Sequence, residues 1–269
     1  MSKKLLIGFS GLVIFGMLLA ACGPAAGPVS SKSKDPNTFV SVTIGEPDVL
    51  DPALDYETAG SEVNQNVYET LVWYKRESAD QFVDMLAESH TISEDGLVYT
   101  FKIRPGVKFH DGSVLTPTDV AYSLQRTILQ GGSISPSLLM TEPVLGIGVL
   151  DVAQLLDPEG TYVDDPAAIQ KLPAADVKAV CEKVASKIVA DEAAGTVTIT
   201  LAQPYAPFLA TLAHTVASIL SKSWATANGV WDGSCDTWQK YYAMQPENDP
   251  IAEKAMGTGP YKFVSWDHA

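Results

Sequence analysis

The chain has 269 residues and carries 18 Lys and Arg against 32 Asp and Glu, for a formal charge of −14. So acidic a protein is repelled by nucleic acid and by anionic lipid headgroups, which argues against either as an electrostatic partner. Acidity is common to exported soluble proteins and does not name a ligand.

Lys3 and Lys4 precede an uncharged stretch, residues 5–21, that runs into Leu19-Ala20-Ala21-Cys22-Gly23. A basic head, an apolar middle and small residues at the cut are the layout of a bacterial secretory signal. The stretch is short and broken by Gly8, Ser10, Gly11 and Gly16, so a permanent membrane span is the weaker reading. Leu-Ala-Ala-Cys resembles the lipobox of bacterial lipoproteins, which implies that Cys22 is diacylated and anchors the chain to the membrane. The alternative is that Cys22 ends a hydrophobic leader by chance. Residues 22–37 are mostly Gly, Pro, Ala, Ser and Lys and lack the apolar side chains that offset ordering, so they read as a flexible tether.

Val40, Val42 and Ile44 alternate with polar residues, which predicts a half-buried strand ending at Gly45-Glu46-Pro47. Ser61 is a candidate cap for a helix carrying Val63, Val67 and Leu71 and running to about Tyr74. Leu97, Tyr99, Phe101 and Ile103 alternate with Val98, Thr100 and Lys102 after the turn Ser93-Glu94-Asp95-Gly96, so they pair with a strand near residues 89–92. Arg104-Pro105-Gly106 and His110-Asp111-Gly112 are further turns. Thr116-Pro117-Thr118-Asp119 combines a capping hydroxyl, a proline at the first helical position and a carboxylate three residues on; a helix starts there and buries Val120, Leu124 and Ile128.

Residues 131–173 are rich in Gly, Pro, Ser and Asp and are expected to wrap over the surface. A short helix follows at about 177–185. A second hairpin joins residues 188–190 to Val197, Ile199 and Leu201 through Ala193-Ala194-Gly195. An apolar helix is expected at 208–213, and Tyr261, Phe263 and Ser265 alternate as a strand after Gly257-Thr258-Gly259-Pro260. Mixed short strands and helices make the class α/β or α+β.

With Cys22 set aside, Cys181 and Cys235 remain, and two thiols in an oxidising compartment form a plausible disulfide. The alternative is a free Cys181 on the apolar face of a helix with Val177, Val180 and Val184, and a separate exposed Cys235. No C-x-x-C or H-E-x-x-H spacing occurs, and His90, His110, His214 and His268 are far apart, so neither a metal nor another cofactor is expected. Trp224, Trp231 and Trp238 recur every seven residues and read as core beside Cys235, or else as a cleft lining. His110-Asp111 has the composition of a catalytic pair but no accompanying nucleophile motif.

Seven segments together resemble the peptide-binding family of ABC-transporter substrate-binding proteins, family 5, which includes oligopeptide, dipeptide and nickel carriers. They are Glu46-Pro47 with Leu50-Asp51-Pro52; Val67-Tyr68-Glu69-Thr70-Leu71; Leu86-Ala87-Glu88-Ser89 with the hairpin after it; Arg104 through Gly112; Leu115-Thr116 with Asp119 through Ser123; Tyr205 through Leu209; and Gly257 through Tyr261. The resemblance implies a type II periplasmic-binding-protein fold of class α/β, with two lobes closing over a ligand and an extra domain inserted into the first lobe. It places the first part of that lobe at 38–75, the inserted domain at 76–219 and the lobe's second part at 220–269, with the second lobe missing.

The same resemblance implies an extracytoplasmic receptor, lipid-anchored to the cell membrane, monomeric and not an enzyme. It would hand peptides or similar solutes to ABC permease subunits in the membrane. Glu46, Pro47, Asp48 and Val49 form the implied ligand-binding edge; the other role open to Glu46 and Asp51 is to stabilise the turn. Nickel chelates, opines and oligosaccharides are ligands open to the same family. A surface-anchored hydrolase and an adhesive lipoprotein are the readings from other classes.

Overall fold

The computed structural model describes residues 35 and 37–268. The expected signal segment, Cys22 and most of the expected tether lie outside the described residues. Asn37–Thr43 belong to a unit of their own, in which the Asp35 carboxylate accepts from the Asn37 amide at 2.9 Å and the Thr38 hydroxyl at 2.7 Å. The strand expected across Val40–Ile44 is not formed, and Val40, Val42 and Ile44 are exposed. Alternation supplies only the pattern of a strand; a neighbouring ladder must accept its backbone groups, and the two sheets among the described residues are built from other strands.

The second unit begins at Ile44. Its first helix, α1 (Thr58–Val67), is capped by Glu57, whose carboxylate accepts from the Ala59 amide at 2.5 Å and from the Gly60 amide. It therefore starts before Ser61. It also stops at Val67 instead of reaching Tyr74, because the Leu71 carbonyl accepts from the Met85 and Ala87 amides and draws the following residues into β1 (Val72–Tyr74), paired antiparallel with β2 (Phe82–Asp84). Pairing with a distant segment overrides the four-residue apolar spacing.

Both expected hairpins form: β3 (Ala87–Ile92) with β4 (Val98–Ile103), and β5 (Ile188–Asp191) with β6 (Thr196–Thr200). Their turns use Gly96 and Gly195 at φ +70° and +66°, which glycine adopts without a Cβ penalty. The hairpins join through β4 and β6, with Tyr99 opposite Ile199 and Phe101 opposite Val197, to give one antiparallel sheet in the order β3-β4-β6-β5.

Helix α2 (Pro117–Gln130) starts as predicted, with a capping box between Thr116 and Asp119 and Pro117 in its first turn. It packs on β5 and β6 through a face on which Val120, Leu124 and Ile128 are fully buried. Residues 131–173 do more than wrap the surface. They form α3 (Leu138–Leu145), a 3-10 turn at Val152–Leu155 and α4 (Pro166–Ile169), and they bury Met140, Val144, Val152, Ala153 and Ile169 completely. Apolar islands spaced by Gly and Pro reach the core wherever short helical turns aim them inward.

Next come α5 (Ala174–Lys187), longer than expected at both ends, α6 (Phe208–Leu212) and α7 (Lys222–Ala227). Cys181 on α5 is bonded to Cys235, with their Cα atoms 5.3 Å apart. Trp231 and Trp238 beside it are core residues, and the Trp238 indole donates to the Val177 carbonyl at 2.8 Å. After Gly257–Gly259 the expected strand at Tyr261–Ser265 is absent, although the Tyr261 amide donates to the Asn66 carbonyl at 3.0 Å. One apolar cluster extends from Leu50 to Met256 and draws on all three stretches that the resemblance assigned to separate parts. No helix among the described residues is long and apolar enough to cross a membrane.

Candidate ligand-binding site

Residues 46–48 stand on a turn that is locked from below. The Leu50 amide donates to the Ala252 carbonyl at 2.7 Å, the Leu54 and Asp55 amides donate to the Asp51 carbonyl, and the Asp51 carboxylate accepts from the Ala53 amide at 3.0 Å. Arg126 of α2 reaches this carboxylate with both terminal nitrogens, Nη1 at 2.8 Å from Oδ1 and Nη2 on Oδ2. Both partners are buried. Burial opposes the charge on Arg126, but the Asp51 carboxylate outweighs it and holds the guanidinium above its ordinary range.

Asp55 closes the turn's other side, accepting from Asn64 Nδ2 at 2.8 Å and Ser61 Oγ at 3.1 Å. Burial, against those bonds, pushes its carboxyl up to about 6. Asp249 completes the cluster. It is buried next to Asp51 and Arg126, and burial followed by the Asp51 charge raises it to about 8.

Above this support, Glu46, Pro47 and Asp48 line a hollow of about 340 Å³, faced by Glu247, Glu253, Trp266 and His268. Val49, expected to complete the same edge, is only 2% exposed and packs into the interior. The Glu46 carboxylate accepts from the Trp266 indole at 2.9 Å, and its Oε1 lies 2.9 Å from His268 Nδ1. His268 Nε2 lies 3.2 Å from Glu253. The bond to Glu46 first, then the one to Glu253, raises the His268 imidazole above its usual value.

Four carboxylates around one imidazole leave the hollow negative, and the Trp266 indole, its centroid 4.5 Å from that imidazole, gives it an apolar side. This combination suits a cation attached to an organic body, such as the amine end of a peptide. Among the described residues that line the hollow, none carries a hydroxyl or thiol nucleophile.

A hollow of about 380 Å³ lies between residues 155–172 and α5, walled by Leu155, Leu156, Tyr162 and Leu172 with Asp176 and Lys183 among its polar groups; none of its walls comes from the 46–48 loop. His110 and Asp111 do not form a dyad. His110 Nε2 meets the Gly259 carbonyl at 2.8 Å, while Asp111 accepts from the amide and hydroxyl of Ser113 at 2.9 and 2.6 Å. Sequence reasoning missed Arg126 and Asp249. Arg126 had one signal, a cation amid the apolar positions of α2, whereas Asp249 reads as any loop acid.

The fold is shared with solute-binding proteins. The sequence pattern of the bacterial extracellular solute-binding proteins, family 5 Middle, matches residues 81–269, and the chain belongs to that family. Among curated relatives it is 33% identical over 263 residues to the heme-binding protein A of Haemophilus influenzae, an alignment covering 93% of this chain and 40% of the relative. It is 27% identical over 252 residues to the glutathione-binding protein GsiB of Pectobacterium atrosepticum, covering 93% and 36%. In structure it resembles the periplasmic binding protein DppA of Helicobacter pylori in complex with the peptide STSA, at a TM-score of 0.52 and 26% identity over 82% of this chain and 35% of that one. The chain thus spans well under half the length of these relatives. The fold is that of the type II periplasmic binding proteins, and the family is one of binders, not enzymes.

Proposed function

We propose that this chain is the first-lobe portion of an extracytoplasmic solute-binding lipoprotein that delivers peptides or similar small solutes to an ABC importer. The acidic hollow at Glu46–Asp48 supports the reading, because it gathers four carboxylates of the kind that take a ligand's amine. In this reading residues 38–75 and 220–269 belong to the first lobe and 76–219 to the inserted domain. Val49 contributes through its backbone alone. A wall contributed by one lobe cannot bury most of a ligand, so binding by these residues alone is weak. Cys22 would hold the mature chain at the membrane.

The reading is tested by saturation-transfer NMR with a pool of short peptides and the same pool N-acetylated. The free amines should bind at least about tenfold better, the gap expected of one charge-assisted contact, and emerge uncleaved. Cleavage, or equal response to both pools, overturns it. Palmitate labelling that survives Cys22→Ser would overturn the anchor.

A further inference from the structure

Asp249 is the acid in this cluster without a visible partner for one of its oxygens. Its Oδ1 accepts from the Ile251 amide at 3.1 Å, whereas Oδ2 is buried and, among the described residues, receives no hydrogen bond. A buried carboxylate oxygen left in that state is costly. The neighbouring cation does not relieve it: both terminal nitrogens of Arg126 bond Asp51, and neither makes a hydrogen bond to Asp249 Oδ2. Two ionised carboxylates would then share one guanidinium in a buried space. A single proton answers both problems: placed on Asp249 it removes the second charge and gives the buried, unpartnered Oδ2 a hydrogen to donate, with Asp51 as the neighbouring acceptor.

The segment around Asp249 supplies Pro246, Glu247, Ala252 and Glu253 to the hollow, and Leu50 binds it through the Ala252 carbonyl. We propose that Asp249 is a positioning residue: as a neutral carboxylic acid donating to Asp51, it pins the 246–254 segment against the loop bearing Glu46, Pro47 and Asp48. As a statement about a ligand cleft this rests on the function proposed above; as a statement about a latch it does not.

The groups facing Asp249 are Asp51, which favours its proton, Arg126, which opposes it, and Tyr68, whose buried phenol stays neutral. An acid whose folded value lies above its ordinary value holds a proton in the folded state that the unfolded chain has lost. The stabilisation is therefore complete in acid, erodes as pH rises from about 4 and is gone above about 8. The wall of the hollow is thus fastened by a proton that is released just above neutrality.

Amide exchange of the full chain tests this without a ligand. The protection factor of the Leu50 amide should fall at least about tenfold between about pH 6 and about pH 9 in the wild type. In Asp249→Asn, which keeps a neutral donor at every pH, it should change by less than about twofold. A wild type with constant protection, or a parallel fall in both proteins, overturns the latch. Should Asp249→Asn fail to fold, a carboxyl carbon NMR titration of the wild type decides: one aspartate with a midpoint near 8 sustains the proposal, and none titrating above about 6.5 overturns it. A latch that responds as expected while peptides fail to bind counts only against the cleft reading.

Discussion

Arg126→Met removes the charge that faces Asp51 while keeping much of the side chain's volume. Removing one partner of a buried ion pair costs about 3–5 kcal/mol, because the other is left charged and unsolvated. A ceiling follows from the escape route, since the stranded carboxylate can take a proton. For an ordinary aspartate, titrating near 3.9, protonation costs about 4 kcal/mol at pH 7 and about 1.5 kcal/mol at pH 5. The loss should therefore approach about 4 kcal/mol at neutral pH and shrink to less than about half of that at pH 5. The sign is that of an acid whose folded value has been raised: the variant's folded state binds the extra proton, so its deficit grows as pH rises. Set against a typical stability of about 5–15 kcal/mol, the variant should still fold. Urea unfolding of both proteins at the two pH values measures it. Equal deficits at both, or a deficit below about 1 kcal/mol at pH 7, would refute the argument.

Three other outcomes are expected. The Cys181–Cys235 bond spans 54 residues, so its loss as a double alanine variant should cost about 4 kcal/mol and lower Tm by roughly 8–16 °C; thermal scans should show that reductant lowers the wild-type Tm and leaves the variant unmoved. In Glu46→Gln the His268 imidazole loses its main charged partner and should titrate lower than in the wild type, closer to an ordinary histidine, as read from its ring-proton NMR shift; an unchanged midpoint would contradict the contact. Gly259→Ala would place a Cβ 2.7 Å from the Asn66 carbonyl oxygen, which is backbone and cannot turn aside; a loss of about 1–3 kcal/mol or more in urea unfolding is expected, with intact stability as the contrary result.

How much the sequence revealed depended on whether the deciding partner was close along the chain. The capping box at Thr116–Asp119 and the turns at Gly96 and Gly195 are settled within four residues, and each forms as read. The end of α1 was not legible, because residues after Val67 answer to Met85 and Ala87. Nor was the β4–β6 junction, where Thr100 and Thr198 meet 98 residues apart. Alternation at Val40–Ile44 and at Tyr261–Ser265 gave the periodicity of strands without a neighbour to complete them. At the candidate site, the resemblance pointed to Glu46, Pro47 and Asp48, and the three line one hollow. The inward turn of Val49 and the Arg126–Asp249 support depend on burial, which no local pattern encodes.

The bridge from α5 to Cys235 ties the chain's stability to the chemistry of its surroundings. Where thiols are kept reduced it is open, and the balance between folded and unfolded chain shifts toward the latter by roughly a thousandfold, the equivalent of about 4 kcal/mol. A polypeptide threaded through a membrane before it takes shape gains from such an asymmetry, because its folded form is easier to undo before the bridge closes than after.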